Sequence, residues 1–428
     1  MFGGMLVISS LTSHMKASDF PRAILHVDGD FFFVSCELAS KPWLKSKPVV
    51  TGHERGIATA MNPAAKALGV TRGMPVFRIR KLYPQVIILH SHYDDYELYA
   101  RRMYTIVRRY APLVEEYSID ECFADITDSP ARLRMSYEEI ARAIKRDLEV
   151  ELGLSFSVGV SVNKVTAKIA SKWAKPSGLT LIPENELPQY LAKLPVSKIW
   201  GVGRSTSTML RKLGIETAYQ FREREREWVE AAFSKPCREL YEELHGNYIH
   251  RVNASVSQHE QISISRTRTF TPASTDKSFI YAQLSKNVEL ACARLRSHGY
   301  FARWMSFFLK TQEFRYYRIE TRLPEPVSTP ESVLSVVRDR FDEIYRRGIL
   351  YRASGITLGD LTRAQGLSGN LFVSPEEASK PDRLYEAVDS LAHRYGGDPV
   401  FLASSFKARA GERPEGKRFA LPFLGSAS

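Results

Sequence analysis

The sequence has only four cysteines in 428 residues, Cys36, Cys122, Cys237 and Cys292, and no two of them form a CxxC pair. That spacing excludes a disulfide framework and a cysteine zinc site, and it suits a reducing, cytoplasmic compartment. No apolar run reaches the ~18 to 20 residues that a membrane span requires, so no membrane partner is expected. The first 19 residues hold a short apolar stretch, Met5–Ile8, with no basic segment before it. Residues 1–21 therefore read as an N-terminal extension rather than a signal peptide. Positive charge, by contrast, is in excess: 60 Lys and Arg against 48 Asp and Glu leave a formal net charge of +12. Such an excess points to a polyanionic partner, nucleic acid first and an anionic surface second. A chain of this length, 44% hydrophobic and 11% aromatic, can bury more than one core.

Ala23–Val27 is an apolar run ending on Asp28-Gly29-Asp30, and Phe31–Ala39 has helical character. A buried strand thus delivers Asp28 at its C-terminal end, with Asp30 expected as the N-cap of the helix. Lys47–Val50 predicts a strand, and a small-residue helix is expected from Ala58, closed by Gly69. Tyr93–Tyr110 and Tyr137–Leu152 predict helices, and Ser155–Val162 a buried strand. Between them, Val114–Tyr117 and Cys122–Ile126 read as strands flanking Ser118-Ile119-Asp120-Glu121 in a hairpin-like arrangement. The alternation describes an α+β domain over a mixed sheet, spanning residues 22–193.

From Leu194 the character changes. Ile199-Trp200-Gly201-Val202-Gly203 joins two short helices and leads into Arg204–Leu213, a helix-hairpin-helix within a unit of residues 194–254. Its glycines let backbone N–H groups approach a phosphate at a helix N-terminus, so Gly201, Gly203 and Arg204 are candidate DNA contacts. Residues 255–362 follow the order βαββαβ, the ferredoxin-like pattern. The first strand of this unit carries Ser263 and Ser265 on one face and Arg266 and Arg268 on the other. With Arg294, Arg296, Arg303, Lys310 and Arg318 it suits contact with a phosphate backbone. Residues 363–428 contain Gly369-Asn370-Leu371-Phe372, a helix expected over Asp382–Tyr395, and a Gly/Pro/basic tail from Lys407.

Phosphoryl transfer by two metals gathers carboxylates around ions roughly 3.5 to 4 Å apart. Hard Mg²⁺ prefers oxygen ligands of that kind. Asp28 and the Asp120-Glu121 pair can meet only if their strands are neighbours in one sheet; taken singly, each is as good a helix cap or solvated turn. Phe31, Phe32 and Phe33 are core residues by default, although Phe33 could stand beneath a nucleotide sugar. Lys175 and Lys66 are exposed lysines by default, or point charges for a triphosphate. His90 and His92 have no further ligands nearby, and no metal role is assigned to them.

His26-Val27-Asp28-Gly29-Asp30-Phe31-Phe32-Phe33, Tyr117-Ser118-Ile119-Asp120-Glu121, the stretch Gly159–Lys175 and Ile199-Trp200-Gly201-Val202-Gly203 resemble, in order and spacing, the Y-family translesion DNA polymerases. The resemblance covers about Ile24–Leu361 and includes both polymerase IV-type and polymerase V-type members. It implies a right-hand architecture of palm, small fingers and helical thumb, plus a ferredoxin-like little finger. It further implies Asp28 and Asp120 as metal-binding aspartates, the Gly29 carbonyl as an added ligand, and Glu121 as the catalytic glutamate. Phe33 falls at the steric gate against ribonucleotides with Phe32 beside it, and Lys175 at a triphosphate-contacting lysine. The implied cofactor is a pair of Mg²⁺ ions. The implied partners are primer–template DNA, deoxynucleoside triphosphates, a sliding clamp and, for polymerase V-type members, an accessory subunit, acting on a monomeric enzyme.

Two departures stand out. The fingers motif Tyr-x-Ala-Arg appears as Pro63-Ala64-Ala65-Lys66, so Lys66 keeps the charge without the bidentate fork of arginine. The clamp motif keeps Leu371-Phe372 without its glutamine, so clamp binding is expected to be weak. Small fingers residues (Ala58, Ala60, Ala64, Ala65, Ala67, Gly69) imply loose enclosure of the nascent pair and low fidelity. A non-catalytic, polymerase-like DNA-binding accessory protein is the competing reading, but it is expected to have lost the carboxylates. A nucleotidyl cyclase would need neither the helix-hairpin-helix nor the basic second domain.

Overall fold

The computed structural model describes residues 20–253, 262–363 and 375–410, apart from 396 and 398. It divides into two units, one ending at His259 and the other beginning at Glu260. In the first, strand β1 (Ile24–Gly29) is buried along its whole length. Helix α1 (Phe32–Ala39) follows at once. Asp30 does not cap it: the N-cap is Phe31, in the left-handed region at φ 51° with no side-chain cap. Asp30 instead accepts from the Ser157 hydroxyl (2.9 Å) and the Ser177 amide (2.7 Å), so its carboxylate braces a distant loop.

The fingers comprise β2 (Val49–Thr51), β3 (Ala60–Met61), α2 (Pro63–Ala67), α3 (Val76–Leu82) and β4 (Ile87–Leu89), with sheet order β3-β2-β4. The helix expected from Ala58 is cut to the five residues of α2. Proline lacks an N–H and drives the preceding residue out of the helical region, so a helix can begin but not continue through Pro63. Asn62 caps that start by accepting from the Ala65 amide at 3.0 Å, and Ala60–Met61 pairs with β2 as strand.

Next come α4 (Tyr93–Arg108), β5 (Leu113–Ser118), β6 (Glu121–Asp125), α5 (Ser129–Leu133), α6 (Tyr137–Leu152), β7 (Phe156–Ser161), α7 (Lys164–Trp173) and β8 (Leu179–Leu181). The palm sheet has the order β5-β6-β1-β7-β8, with β1 antiparallel to both neighbours and β8 parallel to β7. Period-2 alternation gives its two faces different tasks. Leu25 and Val27 pack into a large core with Tyr96, Ala100, Ile140 and Ile144 from α4 and α6. Ile24 packs with Phe123 and Ala167 on the opposite side, beneath α7. That helix sits close because residue 159 is glycine: a Cβ there would lie 2.1 Å from the Ser171 amide nitrogen and 2.4 Å from the Ala167 carbonyl oxygen.

The thumb contains α8 (Leu187–Lys193), α9 (Arg204–Lys212), α10 (Ala218–Arg222), α11 (Arg226–Ala232) and α12 (Lys235–Leu244). The first full helix of the hairpin is α8; Val196–Lys198 forms only one 3₁₀ turn before Ile199. Leu187, Leu191, Leu210, Phe221 and Leu240 share a core with Val165 and Ile169 of α7.

The second unit runs β9 (Ser263–Ser274), α13 (Lys277–Ser297), β10 (Tyr300–Thr311), β11 (Tyr316–Val327), α14 (Pro330–Ile344), β12 (Tyr351–Arg363), α15 (Pro375–Tyr395) and α16 (Phe406–Arg409). The order βαββαβ is therefore observed; across the sheet it becomes β11-β10-β12-β9, every pairing antiparallel. Met305, Phe307, Leu309, Ile356 and Leu358 face the core shared with α13 and α14. The chain from Lys407 is not a free tail at its start: Lys407 in α16 donates to Ser278 on α13 at 2.6 Å.

Gly159→Ala should destabilise the first unit by about 3 kcal/mol, the upper range for overpacking against backbone. Urea unfolding of the variant beside the unaltered protein measures it.

Candidate active site

Asp28 stands directly opposite Glu121 in the β1–β6 ladder, and the palm's carboxylates gather because of that register. Asp120 occupies the turn just before β6, and the Gly29 amide donates to its carbonyl at 2.9 Å, closing the tip of the two strands. A Cβ on Gly29 would come within 2.6 Å of the Phe32 ring, so that ring supports the tip from below. Phe32 is itself only 3% exposed and offers little surface to a nucleotide.

On the same face of the sheet, α7 presents a polar stripe at helical spacing. Lys168 pairs with Glu121 Oε2, and Lys175, beyond the helix, pairs with Asp28 and stands 3.6 Å from Asp30. His26 is fully buried: its Nδ1 lies 2.7 Å from the Ser171 hydroxyl and its Nε2 3.4 Å from Glu121 Oε2. Lys164 reaches Glu115 at 2.6 Å, and the other oxygen of Glu115 accepts from the Asn253 amide at 2.9 Å. Asp120 accepts from the Ser118 hydroxyl, and the Ser118 carbonyl accepts from Tyr104 at 2.6 Å.

These surroundings separate the two facing carboxyls. Burial pushes Asp28 up to about 6, against the pull of Lys175, with Glu121 and Asp120 adding to the rise. Burial would raise Glu121 too, but His26 and Lys168 outweigh it and hold that carboxyl down to about 2. Burial lowers the His26 ring to about 4, so it stands neutral at physiological pH.

No three His, Cys, Asp or Glu side chains converge on a metal-sized point among the described residues. Each carboxylate is turned to its own partner: Asp28 to Lys175, Asp120 to Ser118, Glu121 to Lys168 and His26. The donor chemistry nevertheless fits a hard divalent ion, since three carboxylates and the Gly29 carbonyl are all oxygen. The raised Asp28 carboxyl is a second sign, because crowded and poorly solvated negative charge is relieved by a cation.

Beside the carboxylates, Phe33 is half-buried and stacks on Tyr96, with centroids 4.7 Å apart and planes at 12°. Tyr96 is anchored in turn: its hydroxyl donates to Glu37 Oε1 at 2.9 Å. The His92 ring contacts the same oxygen at 2.7 Å, and Lys41 donates to Oε2 at 3.1 Å. His92 is thus a partner of Glu37. Neither this anchor nor His26, Lys168 and Ser171 was singled out from the sequence. The signals were present, as a period-2 pair in His26/Asp28 and a helical stripe in Lys164, Lys168, Ser171 and Lys175.

The other candidates lie further out. Lys66 is exposed on α2 and makes no side-chain hydrogen bond or ion pair among the described residues. Gly201 has φ +93°, and Gly203 is the N-cap of α9 with no side-chain cap; Arg204 is exposed. Arg266 and Arg268 are exposed on the edge strand β9, in register with Ile356 and Ser354. They therefore share the helix-side face, whereas Ser265 meets Thr357 on the other. Arg296 is not available to a phosphate backbone: it grips Asp389 through two bonds of 2.8 Å and lies over Tyr385. Leu371 and Phe372 lie outside the described residues.

A mixed sheet with paired carboxylates at adjoining strand ends, backed by a helix-hairpin-helix and followed by a separate sheet domain, defines the right-hand class of polymerase. Comparison with known proteins narrows this. Residues 27–172 match the impB/mucB/samB family, residues 184–215 the IMS family HHH motif, and residues 261–371 the impB/mucB/samB family C-terminal domain. A DNA polymerase IV from Desulfatibacillum aliphaticivorans is 31% identical over 383 residues, 88% of this chain and 95% of that one. Another, from Lactococcus lactis subsp. cremoris, is 33% identical over 349 residues, covering 80% and 94%. Among solved structures, a Y-family DNA polymerase chimera aligns at TM-score 0.68 and 22% identity over 80% of this chain and 99% of its own. An insertion ternary complex of Dbh DNA polymerase aligns at 0.53 and 23% over the same shares. The chain belongs to the impB/mucB/samB family, the Y family of DNA polymerases.

Burial would raise the Glu37 carboxyl, but His92, Tyr96 and Lys41 outweigh it and hold it below its ordinary value. A depressed carboxyl contributes stability above its unfolded value and loses it as pH falls through the lowered one. Glu37→Gln should therefore cost about 2–3 kcal/mol at neutral pH. The gap to the unaltered protein should narrow as acidification takes Glu37 through its lowered range, as urea unfolding across pH would show.

Proposed function

We propose that Asp28, Asp120 and Glu121, with the Gly29 carbonyl, form the two-Mg²⁺ site of a template-directed nucleotidyl transfer. The observation that carries this reading is the direct pairing of Asp28 with Glu121 across β1 and β6, with Asp120 in the adjoining turn. The chain is a DNA-directed DNA polymerase, a transferase of translesion synthesis and DNA repair whose substrates are DNA and nucleotides. The non-catalytic alternative is not favoured, because all three carboxylates are present and the relatives are DNA polymerases.

Bound there, two Mg²⁺ ions would supply an activated primer 3′-oxygen and charge neutralisation at the leaving pyrophosphate. Asp28, Asp120 and Glu121 would be the carboxylates that hold them, with Glu121 assigned to the primer side. Lys175, paired here with Asp28, would be the residue to offer a point charge to a triphosphate oxygen, a contact that needs no fixed fork. Lys66 adds a second charge from the fingers. Phe33, set by its stack on Tyr96, closes the space a 2′-hydroxyl would take. Gly201 and Gly203 leave the first amides of α9 open to a DNA phosphate, with Arg204 beside them. Arg266 and Arg268 give β9 two exposed charges for the duplex backbone. A sliding clamp at Leu371-Phe372, an accessory subunit, a monomeric state and a cytoplasmic setting complete the proposal; the last agrees with four free cysteines. Among the described residues no helix is long and apolar enough to cross a membrane.

Primer extension on intact and lesion-bearing templates tests the assignment. The Asp120→Ala, Glu121→Ala double variant should lose extension by at least roughly 10³-fold, and normal extension by it would refute the site. Phe33→Ala should raise ribonucleotide insertion relative to deoxynucleotide by about 10-fold or more; an unchanged ratio would place the gate elsewhere.

A further inference from the structure

Glu121 is held from one side only. Its Oε2 receives the Lys168 ammonium and faces the His26 Nε2 at 3.4 Å, while Oε1 has no hydrogen-bond partner among the described residues. Lys168 in turn is only 4% exposed, so bulk solvent does little to stabilise its charge. Two aromatic faces complete its shell: its Nζ lies 4.7 Å from the centroid of Tyr117 and 4.8 Å from that of Trp200. A buried ammonium with one carboxylate and two ring faces is stabilised by all three, and it settles where their attractions balance.

Trp200 is the point of interest, because it does not belong to the palm. It sits in the turn between Ile199 and Gly203 that starts α9, beside the glycines read above as DNA contacts. Its ring does not turn outward to nucleic acid. It meets Tyr117 edge-on at 5.4 Å and lies tilted against Phe123 at 5.8 Å, half-buried on the catalytic face of the sheet. The thumb turn thus reaches Glu121 through one lysine.

We propose that Lys168 is a positioning residue for Glu121, and that Trp200 makes this positioning depend on the thumb turn. Primer–template seated on Gly201 and Gly203 then fixes the Trp200 ring, the ring fixes the ammonium, and the ammonium turns Oε1 toward the primer end. The inference rests on the reading of Glu121 as a catalytic carboxylate. It adds a cause for catalysis to follow DNA engagement: without the turn in place, Glu121 has a cation that is free to move away.

The test uses the full chain and four variants, Lys168→Met, Trp200→Ala, Trp200→Phe and Glu121→Gln, each checked by thermal melting. Single-turnover insertion separates the maximal rate from nucleotide and primer–template affinity. Mn²⁺ titration of the protein–DNA complex, followed by electron paramagnetic resonance, gives a readout independent of turnover. Lys168→Met should lower the maximal rate and weaken Mn²⁺ binding, each by roughly 10- to 100-fold, the usual cost of losing the partner that orients a metal ligand. Nucleotide and primer–template affinities should stay within about twofold, a split that mere loss of fold stability would not produce. Trp200→Ala should reproduce about 10-fold of the rate loss, and Trp200→Phe, which keeps a ring face, should restore most of it. Combining Lys168→Met with Trp200→Ala should cost no more than Lys168→Met alone, since both act through one contact. An unchanged rate in Lys168→Met beside a dead Glu121→Gln overturns this inference and leaves the catalytic reading intact. An unchanged rate in Glu121→Gln overturns the catalytic reading itself. Multiplying losses in the combined variant would show that Trp200 acts independently and would overturn the link to the thumb. Should Lys168→Met fail to fold, the two Trp200 variants decide alone: equal rates in Trp200→Ala and the unaltered protein overturn the proposal.

Discussion

The seating of α7 on the palm sheet is the constraint from which the rest of the first unit follows. With glycine at 159, the backbone of α7 comes to within contact distance of β7, too close for any side chain at that position. A helix that close cannot direct large side chains straight at the strand, so Ala167 and Ser171 lie against the sheet. The long lysines reach past its edge to the carboxylates at the strand ends. The N-terminus of α7 is bound to the thumb by the same economy of polar groups. Asn163 caps the helix, its side-chain amide donates to the Glu243 carbonyl at 2.6 Å, and the Glu243 carboxylate accepts from the Val165 amide at 3.0 Å. One helix, with the residues just beyond it, therefore carries both the lysines that pair with the carboxylates and the attachment of the thumb.

The charge arrangement around this helix explains why the carboxylates do not already form a closed cage. Ion pairs buried at such a place contribute little net stability, because desolvation offsets the attraction. What they do is set directions. Lys175 draws Asp28 one way and Lys168 draws Glu121 another, so two acids facing each other across a ladder are kept from meeting. Lys172 adds to the same field; burial depresses its ammonium first, and Lys168 beside it adds to the fall. On the proposed reading, a site balanced this way would accept divalent ions and a polyphosphate together more readily than either alone, because each relieves what the other would leave unpaired.

Most of the fold was legible from periodicity and punctuation. The limits of α6 and the βαββαβ order agree with the sequence because caps and apolar spacing agreed there: Ser136 and Glu139 form a reciprocal capping box, and Gly153 ends α6 in the left-handed region. The misreadings have local causes. Small residues from Ala58 onward have helix propensity, yet Pro63 and strand pairing at Ala60–Met61 outweighed it. Asp30 has the residue type of an N-cap, but three groups far away in sequence claimed it, and Phe31 took a strained left-handed conformation instead. That strain, of order 1 kcal/mol, is what an over-determined turn beside a functional carboxylate tolerates. In the site, the acids were visible because carboxylates in short motifs stand out. Their supports were not, since Lys168, His26 and Glu37 acquire meaning only when strands and helices are paired in space.

The contrast between the two walls proposed to flank the incoming nucleotide bears on how such an enzyme can be strict about sugars and lax about bases. Phe33 belongs to α1, packs on Tyr96, and Tyr96 is tied to a buried carboxylate that has three further contacts. Moving that ring means disrupting a connected polar network as well as a stack, so its position is stiff. The fingers rest on a small cluster, Val50, Ala58, Ala65, Val70, Ile79 and Val86, mostly alanine and valine. Burial stabilises a cluster in proportion to apolar area, and small side chains bury little. Phe77 lies three-quarters exposed on α3 instead of joining it. If Phe33 is the gate, as proposed, a stiff ring on one side and a lightly packed cover on the other would discriminate by different means. The first would reject a hydroxyl by excluded volume, whereas the second would yield around a distorted base pair at small cost. Tolerance of damaged templates then follows from where the packing is thin.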